Sequence, residues 1–241
     1  MIQQDAFMED TVAPLRASNP ALLYLHPGLR KVQLQGRGYG YVASRAIRKG
    51  ELLLKEKPFA WSAGIDPSKP DLKAGVEWLL ETGAVDELPC AEGDYDSRRH
   101  RAEAVALTCA YMNATPCRNG EYIAMLLRAS SGFNHSCWPN AGAYSRQRNF
   151  ADAADCSKRP LCTFAIEDIV PGEEVCISYL GEAEHLLVAE DRQALLKKWG
   201  FVCNCQRCAG GRPMDKRLRG FSMTSESELD MRRQVSQANA E

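Results

Sequence analysis

Residues 131–140 read Ser-Gly-Phe-Asn-His-Ser-Cys-Trp-Pro-Asn, "SGFNHSCWPN". The stretch is an unusually polar cluster, and its Trp138-Pro139 turn holds Cys137 rigidly. A histidine in a turn rich in Ser and Asn is by itself most often structural, so the meaning of this stretch depends on what else the chain supplies. The strongest partner is "FVCNCQRCAG" at 201–210, which sets thiols at Cys203, Cys205 and Cys208. Asn204, Gln206 and Arg207 lie between them, so core packing explains this crowding poorly and a metal explains it well. Zinc in a structural site takes four ligands and favours thiolates. The fourth ligand must then come from elsewhere among the ten cysteines. Cys90, Cys109 and Cys117 lie in or near the middle third, and Cys156 falls in a polar loop. Cys162 and Cys176 alternate with apolar neighbours and read as small buried hydrophobes. Only Cys137 sits in a rigid polar turn, but spacing alone leaves the choice open.

Bulk composition narrows the class. With 241 residues, 45% of them apolar, the chain can furnish an ordinary globular core. It opens "MIQQDAFMED", polar and acidic, so no secretory leader is expected. Apolar stretches such as "AVALTCAYM" fall well short of the roughly 20 residues of a membrane helix. An intracellular setting, nuclear or cytoplasmic, favours metal binding over disulfides for these thiols. Thirty basic against 31 acidic residues leave no overall field to draw in nucleic acid or anionic lipid. No nucleic-acid or membrane partner is therefore expected.

Along the chain, residues 1–30 read as irregular, broken by Pro14, Pro20, Pro27 and Gly28, with order starting near Lys31. Strand-like alternation joined by glycine turns follows from 31 to Pro58. A helical insert is expected over about residues 62–130. Its first helix carries Leu72, Val76, Leu79 and Leu80, with Asp71 as cap and Gly83 as stop, and Ala102, Val105, Cys109 and Met112 mark a second. Extended structure returns in "NAGAYS", "LCTFAI" and "EEVCISYL", the last two joined by a type II turn at Pro171-Gly172, and antiparallel pairing is the simplest expectation. A helix over Leu186–Trp199 ends at Gly200, just before the cysteine trio. The organisation expected is a main domain over 31–180, a helix with a metal-binding segment over 181–212, and a polar, mobile tail over 213–241.

Asn134, His135, Ser136, Cys137, Pro139 and Asn140 together match the N-H-S-C-x-P-N signature of SET-domain lysine methyltransferases. "GEEVCISYLG" (172–181) resembles that family's second signature, "FVCNCQRC" its post-SET cysteines, and "GRGYGYVASRAIRKGELLLKE" its N-terminal segment. These blocks occur in family order over about residues 31–208. "YLGEAEHLLVAEDRQALLKKWGFVCNCQRC" is most similar to the SMYD-like branch, through Arg192, Leu195, Trp199 and Phe201. Against that branch, neither the inserted MYND zinc module nor the large C-terminal helical domain is expected from this sequence, and both shape the substrate groove there.

The resemblance implies a β-rich α+β fold: small curved sheets, a helical insert, and a pseudoknot-like C-terminal threading that no local pattern would suggest. It implies S-adenosylmethionine held around Arg37, Gly38, Tyr39 and Gly40 and by Asn134 and His135, with Phe201 stacking on the purine. Ser131 and Phe133 would add backbone contacts. Tyr179 would be the catalytic tyrosine, Tyr179 and Phe201 would line the substrate channel, and Phe164 or Tyr144 could limit space around the amine. Cys137 would complete the zinc site with Cys203, Cys205 and Cys208. The substrate would be a lysine-bearing protein or peptide, histone or not, and the enzyme a monomer. Two rivals stand beside this reading: a catalytically silent SET-fold binding module that retains zinc, and a zinc-ribbon interaction protein with unrelated strands.

Overall fold

The structure, a computed structural model, describes residues 21–64, 72–86, 88, 94–112, 122–144, 160–181 and 184–210. The expectations for residues 1–20, for Asp71, Cys90, Cys117 and Cys156, and for the tail beyond 210 lie outside that range. The chain forms two compact units. One comprises the residues up to His135 together with Pro139–Ile177, and the other comprises Ser136–Trp138 and the residues from Ser178 on.

The described residues of the first unit form three small sheets. One orders β1 (Leu22–Leu25), β4 (Leu52–Glu56), β10 (Leu161–Ala165) and β9 (Ala141–Tyr144), antiparallel throughout. A second orders β2 (Leu29–Leu34), β3 (Gly38–Ala43), β11 (Glu174–Ile177) and β8 (Asn134–His135). Leu25, Leu29, Tyr41, Leu53, Leu54, Phe133 and Val175 are buried in one shared apolar cluster. Order thus begins by Leu22, nine residues before the expected start at Lys31. Pro27-Gly28 does not end structure there but turns it: the Gly28 N–H donates to His26 Nδ1 and the Leu29 N–H to the His26 carbonyl. The expectation of antiparallel pairing also needs one correction, because β8 runs parallel to β11, with Asn134 beside Cys176 and His135 beside Ile177.

Glycines make the turns that the sequence asked for. Gly36 and Gly38 have φ of 69° and 65° at the β2–β3 hairpin, a conformation that costs other residues more. Gly172, at φ 84°, occupies the third position of the turn closed by the Glu173 N–H on the Val170 carbonyl, as a type II turn requires.

The insert is partly helical. Helix α1 (Lys73–Thr82) stops at Gly83 (φ 75°), and α2 (Arg98–Cys109) starts at Ser97, whose hydroxyl accepts the His100 N–H. Val76, Leu79, Val105, Ala106 and Cys109 are buried together, so the helical spacing does mark the inner faces. The remainder differs from expectation. β5 (Ala60–Gly64), β7 (Tyr122–Leu126) and β6 (Ala110–Met112) form a third sheet within the supposed helical span, so Met112 continues a strand rather than α2. Cys162 is half-buried, because the alternation of β10 turns Leu161, Thr163 and Ala165 inward instead. Cys176 is buried as expected, and desolvation pushes its thiol up to about 12.

The described residues of the second unit hold little regular structure. Its helix α3 covers only Ala189–Leu196, flanked by single 3₁₀ turns at Glu184–Leu186 and Lys197–Trp199, so the expected Leu186–Trp199 helix is shorter and less regular. Gly200, at φ 75°, ends it as expected. Leu180, Leu196, Cys137 and Cys203 are its buried centre, with Tyr179, Leu195, Trp199 and Phe201 packed on them. No helix among the described residues is long and apolar enough to cross a membrane.

Candidate active site and metal centre

In the first unit, the glycine turn before β3 is tied to the loop that holds Asn134 and His135. Arg37 is the tie: its guanidinium donates to the His135 carbonyl at 2.9 Å and pairs with Glu174 at 2.8 Å. Asn134 Nδ2 donates both to the Tyr39 carbonyl (3.2 Å) and to Glu174 Oε1 (2.9 Å), which leaves Asn134 Oδ1 as an acceptor. One carboxylate, Glu174, therefore fixes a cation on the turn and an amide on the loop. Gly40 must stay small here, since a Cβ on it would lie 2.7 Å from Asn134 Nδ2 and 2.5 Å from Leu34 Cδ1. Tyr39 is exposed, whereas His135 is buried. Asn140 braces the far side: its Nδ2 donates to Glu173 and to the Glu174 carbonyl, and its Oδ1 accepts the Cys176 N–H, all at 2.9 Å.

In the second unit, the sulfurs of Cys137, Cys203, Cys205 and Cys208 all lie within 4.8 Å of one another. Tetrahedral zinc at about 2.3 Å from each sulfur would set neighbouring sulfurs about 3.8 Å apart. The Cys137 sulfur stands 3.9 Å from that of Cys203 and 3.5 Å from that of Cys208, so the donor set fits the ion in both chemistry and size. The thiols also share protons. Hydrogen bonding from Cys137 pulls the Cys203 thiol below its ordinary value, and contact with Cys203 pushes Cys137 up. A divalent cation relieves that competition by letting all of them ionise.

Two buried arginines line the cluster. Arg192 donates to the Leu187 carbonyl at 2.6 Å and to the Cys208 sulfur at 3.5 Å, and Arg207 donates to the Cys137 carbonyl at 3.4 Å. Gln193 on α3 grips the Cys203 peptide from both sides, accepting its N–H at 2.9 Å and donating to its carbonyl. Beside the cluster, the Tyr179 ring lies 5.3 Å from that of Trp199 and meets Phe201 edge-on at 6.2 Å. Tyr179 is thus not in a strand. It stands two residues past β11, within a bend in which the Ser178 hydroxyl bonds the Leu180 N–H and carbonyl.

A SET-domain family profile matches residues 38–180. The chain belongs to the SET-domain family. Relatives within it include the protein-lysine N-trimethyltransferase SMYD5 of Danio rerio, 36% identical over 104 residues. Another is the histone-lysine N-methyltransferase ATXR2 of Arabidopsis thaliana, 33% identical over 124 residues. A third, the histone-lysine N-methyltransferase SET5 of Meyerozyma guilliermondii, is 40% identical over 79 residues. These matches cover 43%, 52% and 32% of this chain but only 21%, 23% and 14% of the relatives, so the chain spans a minor part of the proteins it resembles.

The expected site residues fall into two sets. Arg37, Gly38, Tyr39, Gly40, Asn134 and His135 gather in the first unit, and Tyr179, Phe201 and the four cysteines gather in the second. Sequence reasoning gave no role to Glu174, Asn140 or Arg192. Their signal was faint: Glu174 is the second acid of "GEEV" at the start of a buried strand, and Arg192 is a cation on the inner face of a short helix.

Proposed function

We propose that the protein transfers a methyl group from S-adenosylmethionine to the side-chain amine of a lysine in a protein or peptide substrate. One observation carries this above the others: in a SET-domain chain, Arg37, Asn134 and Glu174 form a closed network around the glycine turn. S-adenosylmethionine supplies the electrophilic methyl on its sulfonium. The residues 37–40 offer backbone groups brought close by glycine, and Asn134 Oδ1 is an acceptor for the polar end of the cofactor. Phe201 offers an aromatic face to the purine and a wall to the lysine channel.

The transfer is an in-line displacement without a protein nucleophile, so the chain must align and desolvate. Tyr179 is the residue we assign to alignment, its hydroxyl orienting the amine while Trp199 and Phe201 fix its ring. The amine must arrive neutral although a free lysine has a pKa of about 10.4. The apolar rings of Tyr179, Trp199 and Phe201 disfavour an ammonium through desolvation. Cys137, Cys203, Cys205 and Cys208 hold a structural zinc, whose role is to fix the arm that carries Phe201. The enzyme works as a monomer on nuclear or cytosolic proteins.

The test is label transfer from radiolabelled S-adenosylmethionine to histones and cell lysate, with calorimetric titration of the cofactor. Labelled protein is expected from the wild type, and Tyr179→Phe should cut turnover by about a hundredfold with zinc content unchanged. Cofactor binding with no labelled acceptor would leave a binding module in place of an enzyme. Absence of both binding and label would remove the reading altogether.

A further inference from the structure

Glu56 closes β4, and its side chain is wholly buried. A buried carboxylate costs several kcal/mol unless hydrogen bonds replace its water. Here they do. Oε1 accepts the N–H groups of Arg128 (3.0 Å) and Ala129 (2.8 Å), and Oε2 accepts the N–H (2.8 Å) and the hydroxyl (2.9 Å) of Ser130. Three consecutive amides converging on one anion form a nest, a backbone arrangement that binds anions and that a turn adopts only at a cost in conformational freedom.

The other side of the same turn is equally held. The Tyr41 hydroxyl donates to the Ala129 carbonyl at 3.0 Å and the Ser131 hydroxyl to that of Arg128 at 2.8 Å. The Tyr41 ring lies 4.6 Å from that of Phe133, and a Cβ on Gly132 would come within 2.9 Å of the Tyr41 ring. The turn over Ser130–Gly132 leads through Phe133 directly into Asn134 and His135. Any drift of residues 128–130 is passed four to six residues on to the Asn134 amide that bonds Tyr39 and Glu174.

We infer that Glu56 is a positioning residue for cofactor binding: it sets the turn 128–132 so that Asn134 and His135 stand ready for S-adenosylmethionine before it arrives. This rests on the proposed assignment of Asn134 and His135 to the cofactor. The carboxylate is needed as such, because an amide offers one acceptor oxygen and turns an NH2 group toward backbone donors. Preorganisation of this kind acts on affinity, and a misplacement of about 1 Å can cost about a hundredfold.

The experiment measures S-adenosylmethionine affinity by calorimetry, and KM and kcat by methyl transfer, for wild type, Glu56→Gln, Ser130→Ala and Asn134→Ala. Glu56→Gln should raise the cofactor Kd and KM by about tenfold or more while zinc content stays at the wild-type level. Ser130→Ala, which removes only the hydroxyl bond, should raise them about threefold and keeps the test open if Glu56→Gln does not fold. A purely structural Glu56 would lower the melting temperature and leave KM of the folded protein within about twofold of wild type. That result, with Asn134→Ala still weakening binding, overturns the positioning role alone. If Asn134→Ala also leaves affinity unchanged, the cofactor assignment falls and the inference with it.

Discussion

The two units hold their functional residues by opposite means. In the first, Arg37, Asn134 and the turn before it hang from two carboxylates that are themselves anchored in strands, half-buried Glu174 on β11 and buried Glu56 on β4. Among the described residues of the second, one eight-residue helix and a few turns carry Tyr179, Phe201 and four cysteines, with a small apolar cluster beneath them. The difference is one of autonomy. A sheet core with satisfied carboxylates keeps its geometry without any ligand, whereas a segment this short and irregular needs a cross-link to hold a fixed form.

That contrast can be broken first by removing the proposed zinc. Thiolate–zinc attachment contributes on the order of 10 kcal/mol, so chelation or mild acid, which protonates the ligands, should release residues 178–210. Hydrogen exchange is expected to rise there to the level of an unfolded chain, while β2, β3 and β11 stay protected. Retained protection over 201–208 after complete zinc loss would erase the distinction between the units.

A milder change sharpens the contrast. Arg192→Leu removes a buried guanidinium from the Cys208 sulfur and should weaken zinc binding about 10- to 100-fold, read by competition with a metal indicator. Zinc affinity equal to wild type would mean that Arg192 serves packing alone. Smaller still, Glu174→Gln keeps the shape of the bridge but loses the ion pair with Arg37. We expect the cofactor KM to rise about tenfold with zinc content untouched, and an effect on zinc instead would contradict the separation of roles.

Much of this was legible in the chain before any coordinates. Gly83, Gly172 and Gly200 stopped or turned the chain where expected, and each lies at a positive φ that glycine accepts readily. The cysteine trio pointed to a metal site by crowding alone, but the fourth cysteine of the cluster, 66 residues upstream, came only with the family signature, because no local pattern encodes a tertiary contact. The third sheet was missed for a related reason: "AYM" continues the apolar rhythm of α2, and only pairing with β7 makes it a strand. Glu56 was unreadable because a charged residue in a strand looks like a solvent face, and "GEEV" gave Glu174 a place in a motif but no partners. Glu56 is buried against backbone donors supplied by residues 128–130, and half-buried Glu174 meets groups at residues 37 and 134, far along the chain.

The central claim is that cysteines from distant parts of the chain share one zinc ion. Zinc-edge X-ray absorption on the purified protein, with metal analysis of Cys137→Ser beside it, tests this most directly. The account predicts about one zinc per chain bound by sulfur alone at about 2.3 Å, and its loss from Cys137→Ser. Protein purified without zinc, or a Cys137→Ser variant that keeps the metal at wild-type affinity, would contradict it.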